Sequence, residues 1–189
     1  NNGTKGVIAS GVNAHLQTAG QGTLSLHATG RLLNTGKLTA TDTLVATATT
    51  DLTNRGTFNA NNTRLSATII NNQGTGKIYG DQIAIAATTL NNLAEGAHAG
   101  VIAARHRLDI GARTINNSDA SWLYSVGDLL IGGALNRQYR SVNQADTLHN
   151  DSAKIEALGN AVIQAKQVAN TNAHVTTQAV TLPAVRVIT

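Results

Sequence analysis

Apolar and polar residues alternate in short runs along this chain, as in Ile83-Ala84-Ile85 and Leu108-Asp109-Ile110, and neither the 3.6-residue spacing nor the caps of helices are apparent. Such alternation predicts strands with one side turned inward and one outward. The runs also repeat. A mark of the form L-x-N-x-G opens each unit, as in Leu52-Thr53-Asn54-Arg55-Gly56, and is followed by an apolar strand, a small polar turn and a second apolar strand. One unit cannot bury its own apolar side chains, so it requires neighbours stacked on it.

The apolar residue of the mark stands at Leu32, Leu52, Ile70, Leu90, Ile115, Leu148 and Val168. Asn follows two positions later every time, at Asn34, Asn54, Asn72, Asn92, Asn117, Asn150 and Asn170. The intervals are 20, 18, 20, 25, 33 and 20 residues, which is a scaffold period near 20 with insertions in its turns. The 33-residue interval predicts an extra, degenerate coil around Leu135 and Asn136. Each Asn is read as the residue that leaves a strand sharply, since its backbone tolerates left-handed angles and its amide can bond the local main chain. Stacked about 4.8 Å apart, the seven amides would also bond one another as a structural ladder. Gly36, Gly56 and Gly74 follow where a Cβ would be costly, and Ala94, Asp119, Ser152 and Asn172 replace them in later units.

The first strand after the mark carries Leu38, Phe58, Ile78, Val101 with Ile102, Trp122 with Leu123, Ile155 and Val175. The second carries Leu44, Leu65, Ile83 with Ile85, Leu108 with Ile110, Leu129 with Ile131, and Val162. Strands that repeat in one direction with no crossover helix give parallel sheets coiled about a common axis. The predicted fold is therefore all-β, a parallel β-helix of about nine coils and on the order of 43 Å long. It forms a single domain over 1–189, with irregular early coils in 1–31, regular repeats in 32–178, and terminal strands in 179–189 around Pro183. Insertions are placed near 91–101, 116–126 and 136–147. A leucine-rich repeat would need L-x-x-L-x-L before its Asn, and the calcium-binding nonapeptide needs G-G-x-G-x-D; neither order is present.

Composition sharpens this picture. With 3% aromatics, one Pro, and no Met or Cys, burial falls to Ala, Val, Ile and Leu, and neither a disulfide framework nor a thiolate zinc site is available. The formal charge of +4 is spread thinly from Lys5 to Arg186, which reads as a solvated surface and not as a nucleic-acid footprint. No apolar run reaches the roughly 18 residues of a membrane span, and no signal peptide opens the chain. Asn1-Asn2-Gly3 resembles the middle of a repeat, so the chain is read as an internal fragment of a larger protein.

The units Leu52-Thr53-Asn54-Arg55-Gly56-Thr57-Phe58 and Leu148-His149-Asn150-Asp151-Ser152-Ala153-Lys154-Ile155, with Tyr124-Ser125-Val126-Gly127-Asp128-Leu129, resemble filamentous-haemagglutinin repeats. Over roughly residues 30–178 they are similar to repeats of the large exoproteins of Gram-negative two-partner secretion, which include haemagglutinin adhesins and effectors of contact-dependent growth inhibition. The run ending at Val175 looks most like the inhibition effectors. The resemblance implies a right-handed parallel β-helix, secreted through a partner outer-membrane β-barrel and forming a cell-surface filament that serves adhesion, virulence or toxin delivery.

Chemistry is sparse. The ten acids are scattered singly, whereas glycan-cleaving β-helices need clustered carboxylates, so no catalytic residue is assigned and an enzyme is not expected. The six His residues lack metal-ligand spacing, and His106, inside Arg105-His106-Arg107, reads as an exposed residue at a turn; no metal and no cofactor are expected. There is no G-x-S-x-G nucleophile motif. Two stretches suit partner binding to a glycan or a surface receptor: Trp122 with Tyr124, and Arg137, Tyr139 and Arg140 in the long excursion. The competing readings, which are preferred, are a side chain filling a widened coil interior for Trp122 and a plain solvated connection for the Arg137 to Arg140 loop. Cut ends of a solenoid would also expose edges for end-to-end self-association.

Overall fold

The structure, a computed structural model, describes residues 1–176. Among these residues there is no helix, and the chain winds as a parallel β-helix with three strands per coil. The first sheet holds the marks themselves, with Leu32, Leu52, Ile70, Leu90, Ile115, Leu148 and Val168 paired in one continuous parallel register. The second sheet stacks Ile8, Leu38, Phe58, Ile78, Ile102, Leu123 and Ile155. In the third, Leu26, Ala46, Leu65, Ile85, Ile110, Ile131 and Ile163 form one of two inward columns.

The mark is a strand, not the turn that sequence reasoning made of it. Asn34, Asn54, Asn72, Asn92 and Asn117 are fully buried on strand positions, and none of them has a positive φ. Alternation explains this. In Leu-x-Asn the Leu and the Asn lie two apart, so both point inward and only the residue between them faces water. Left-handed backbone falls instead in the next few residues, at Gly74, Gly96, Asp119, Ala120 and Ser152. The close-approach glycine column likewise runs Gly36, Gly56, Gly76 and Gly100, and not through Gly74 and Ala94. A Cβ on Gly56 would stand 2.1 Å from the Gly36 carbonyl oxygen, and one on Gly76 would stand 2.4 Å from that of Asn54.

The 33-residue interval contains no extra coil. Asn117 and Asn150 are direct neighbours in the stack, and Leu135 and Asn136 belong to an antiparallel hairpin of Ala134–Leu135 with Ser141–Val142. Eight Asn levels are described, from Asn2 to Asn170, giving about 34 Å along the axis at 4.8 Å per coil. The insertion expected near 91–101 is a short antiparallel turn-back of Ala94 and Glu95 on Ala99 and His98. Near 116–126 only a tight corner is found, because 114–118 and Trp122–Ser125 are both regular strands. Val162 faces outward between inward Ala161 and Ile163 positions, and Val175 is exposed and outside any strand. The terminal strands expected in 179–189, with Pro183, lie outside the described residues.

Candidate functional site

The interior of the first sheet carries an amide spine. Nδ2 of each Asn donates to Oδ1 of the Asn one coil onward: Asn2 to Asn34 at 2.9 Å, Asn34 to Asn54, Asn54 to Asn72, Asn72 to Asn92 and Asn92 to Asn117 at 2.8 Å, then Asn117 to Asn150 and Asn150 to Asn170 at 2.7 Å. The second Nδ2 hydrogen goes to a main-chain carbonyl at the start of the second sheet, such as Lys77 O for Asn54 and Val101 O for Asn72. Every buried amide thus has both donor hydrogens directed at acceptors, which is what allows a polar column inside an aliphatic core. Asn2 was not among the Asn marks found in the sequence, because no Leu precedes it by two.

A second ladder runs on the outer surface of the same sheet. Asn116 donates to Asn91 and Asn91 to Asn71, both at 2.8 Å, and Asn71 reaches the Thr53 hydroxyl at 3.5 Å. Its amides point toward the N-terminal coils, opposite to the inner spine. The doubled Asn-Asn in 71–72, 91–92 and 116–117 was the sequence signal for it.

The residues singled out for partner binding fall on two different faces. Trp122 and Tyr124 sit on outward positions of the second sheet with ring centroids 4.6 Å apart, while Leu123 between them points inward. Trp122 therefore does not fill a widened interior; its column neighbours are Val101 and Lys154. Arg137, Tyr139 and Arg140 lie in the hairpin, which folds back over the outer surface of the third sheet. There the Tyr139 ring receives the Arg64 guanidinium at 4.0 Å, and Arg140 reaches Asp109 at 3.3 Å.

Asp109 is the residue that sequence reasoning missed. It occupies an outward strand position yet is only 2% exposed, because the hairpin covers it. Arg107 binds it through two nitrogens at 2.7 and 3.3 Å, and the Ser141 main-chain N–H donates to it at 2.9 Å. Gly111 beside it lets the hairpin close down, since a Cβ there would stand 2.3 Å from the Ala134 carbonyl carbon. Arg140 and Ser141 are more than 30 residues from Asp109 in the chain, so no local pattern could reveal the pairing.

Other charged groups form links between coils. Two hydrogen bonds from Asn160, through its main-chain N–H and its amide, hold the Asp128 carboxyl below its ordinary value, and Lys166 with Arg113 does the same for Asp146. Hydrogen bonds from Thr171 and the Ala173 N–H lower Asp151, and Arg55 lowers Glu95. His106 is exposed at the corner between the second and third sheets, where the register slips. Among the described residues no cluster of three or more His, Cys, Asp or Glu side chains is placed to hold a metal ion. No family model matches the chain, and no curated protein or solved structure matches it.

Proposed function

We propose that this chain is a load-bearing section of a secreted, cell-surface filament, a shaft that holds an adhesive or toxic element away from the cell producing it. The observation that carries this reading is the uninterrupted amide spine. One hydrogen-bonded column passes through eight coils in a single direction, while the decorations leave the three-sheet register intact. Each coil offers the next a complete row of backbone and side-chain partners, so length can be added without redesigning a core. The likeness of the repeat units to those of two-partner-secretion exoproteins supports the same reading. On this reading the parent protein belongs at the outer membrane of a Gram-negative cell, with a secretion β-barrel as its partner.

A phase experiment on producing cells tests it. Asp51 and Ile69 are register partners, as are Ile69 and Thr89, so removing residues 52–89 excises two coils and rejoins the spine in register. Antibody labelling of intact cells is expected to find both the wild-type protein and this deletion at the surface. An out-of-phase deletion of 52–79 should be lost from it. Failure to label wild-type cells, or equal labelling of all three proteins, would overturn the shaft reading.

A further inference from the structure

The outer surface of the second sheet differs from the other two. The first sheet's outer surface is occupied by the self-satisfied Asn ladder, and the third lies partly under the hairpin. On the second, one outward column reads Lys37, Thr57, Lys77, Val101, Trp122 and Lys154 in successive coils. The column beside it reads Thr39, Asn59, Tyr79, Ala103, Tyr124 and Glu156. Three of the chain's four Trp and Tyr residues therefore lie on this face. Its lysines also lack carboxylate partners, although the Lys154 ammonium lies 6.0 Å over the Trp122 ring. Arg31, Arg55, Arg105, Arg107, Arg113, Arg140 and Lys166 are held by carboxylates, whereas among the described residues Lys5, Lys37, Lys77 and Lys154 are exposed and in no ion pair. Toward the N-terminal coils the face deepens into a groove of about 660 Å³ lined by Lys5, Lys37, Lys77 and His98.

We infer that this face binds a linear acidic polysaccharide laid along the helix axis, with lysines meeting its carboxylates and the Trp122–Tyr124 pair packing against sugar rings. The chemistry matches term by term. The ammonium groups supply point charges along about five strand spacings, or roughly 24 Å. Thr39, Thr57 and Asn59 offer hydroxyl and amide groups to sugar hydroxyls. The apolar Val101 and Ala103 keep the band between Lys77 and the rings shallow. Single-stranded nucleic acid fits less well, because its bases need separate aromatic platforms. Here the two rings lie against each other, 4.6 Å apart and tilted by 37°, so they form one patch and not a series of platforms, and the nearby Arg55 is tied to Glu95. Glu156 is the one acidic side chain in these two columns, at their C-terminal end.

Trp122 is the chain's only tryptophan, so its fluorescence reports on the face directly. Titration of the full chain with polygalacturonate near 50 mM salt is expected to change that emission saturably, with affinity falling at least ten-fold at 300 mM salt. Fully methyl-esterified polygalacturonate, which keeps the sugars and lacks the charge, should produce no saturable change. The double variant Lys77→Gln with Lys154→Gln is expected to bind at least ten-fold more weakly. The pair Arg31→Gln with Lys166→Gln removes equal charge from elsewhere and should stay within two-fold of wild type, all with unchanged circular dichroism. The inference is overturned if the charged polymer leaves the emission unchanged, if the two double variants weaken binding equally, or if a thymidine oligonucleotide binds as tightly as polygalacturonate. None of these outcomes depends on whether the chain is a shaft.

Discussion

Asn72 shows what one position contributes. Its oxygen accepts from Asn54, and its nitrogen donates to Asn92 and to the Val101 carbonyl, all with no solvent contact. Replacing it with Ala strands a donor above and an acceptor below in a dry column, and each stranded group costs about 1–3 kcal/mol. Asn72→Ala is therefore expected to destabilise the protein by about 2–4 kcal/mol in denaturant unfolding. Asn72→Asp, of nearly the same shape but unable to donate and charged when ionised, should cost more than Ala at neutral pH. Equal stability of all three proteins would show that the spine is a passenger of the sheet. Ser125 gives the opposite case. It points inward between Ala104 and Ala157, and its hydroxyl is buried with no hydrogen-bond partner. Ser125→Ala should raise stability by about 1 kcal/mol, since it removes an unmet polar group and matches the column on either side. A melting temperature that falls would refute this.

At the level of elements, the hairpin of Ala134–Leu135 and Ser141–Val142 is held by contacts outside its own strands. Asp109 sits under it between Arg107, Arg140 and the Ser141 N–H, and Gly111 supplies the room. A methyl group at Gly111 must push the hairpin outward, because the nearest atoms are main-chain atoms that cannot rotate away. Gly111→Ala is expected to leave the strand content unchanged while making the Arg137 and Arg140 peptide bonds at least several-fold more sensitive to trypsin. If cleavage rates match wild type, the lid is not seated on this glycine. This element also marks the limit of what could be read from the chain. Leu135 followed by Asn136 imitates a weak repeat mark, and only the pairing of Asn117 with Asn150 rules that coil out. The marks themselves were legible, because an inward aliphatic residue and, two positions on, an inward Asn recur from Leu32 to Asn170 whatever loop lies between. Their conformation was not, since Asn suits a turn by propensity and is held on the inward side of a strand here because a column of like amides satisfies it. Trp122 fell to the same ambiguity: alternation gives two faces, and whether the Trp or the adjacent Leu123 turns inward is settled by register with Ile102 and Ile155.

Over the whole molecule, the coils are bound by two kinds of link with different responses to acid. The amide spine does not titrate. The carboxylate links do: one with a depressed carboxyl, Glu95 to Arg55, joins middle coils, while three are gathered toward the C-terminal coils, Asp128 to Asn160, Asp146 to Lys166, and Asp151 to Thr171 and Ala173. All three carboxyls are depressed below an ordinary value of 3.8, so the folded state favours their charged form. The stability they add is complete above 3.8 and is lost as pH falls through the lower folded values. Because these groups are exposed, each link is weak and screened by salt, and their loss should loosen the coils they join without unfolding the rod. In a nearest-neighbour array such loosening stays local. Amide hydrogen exchange, corrected for the intrinsic effect of pH, is therefore expected to show protection falling first in 145–173 between pH 5 and about 2.5, while 51–93 stays protected. Asp146→Asn should bring part of that loss to pH 6. A uniform decline along the chain would mean instead that the coils unfold as one unit, and that the spine, not the carboxylate links, sets the response of the entire rod.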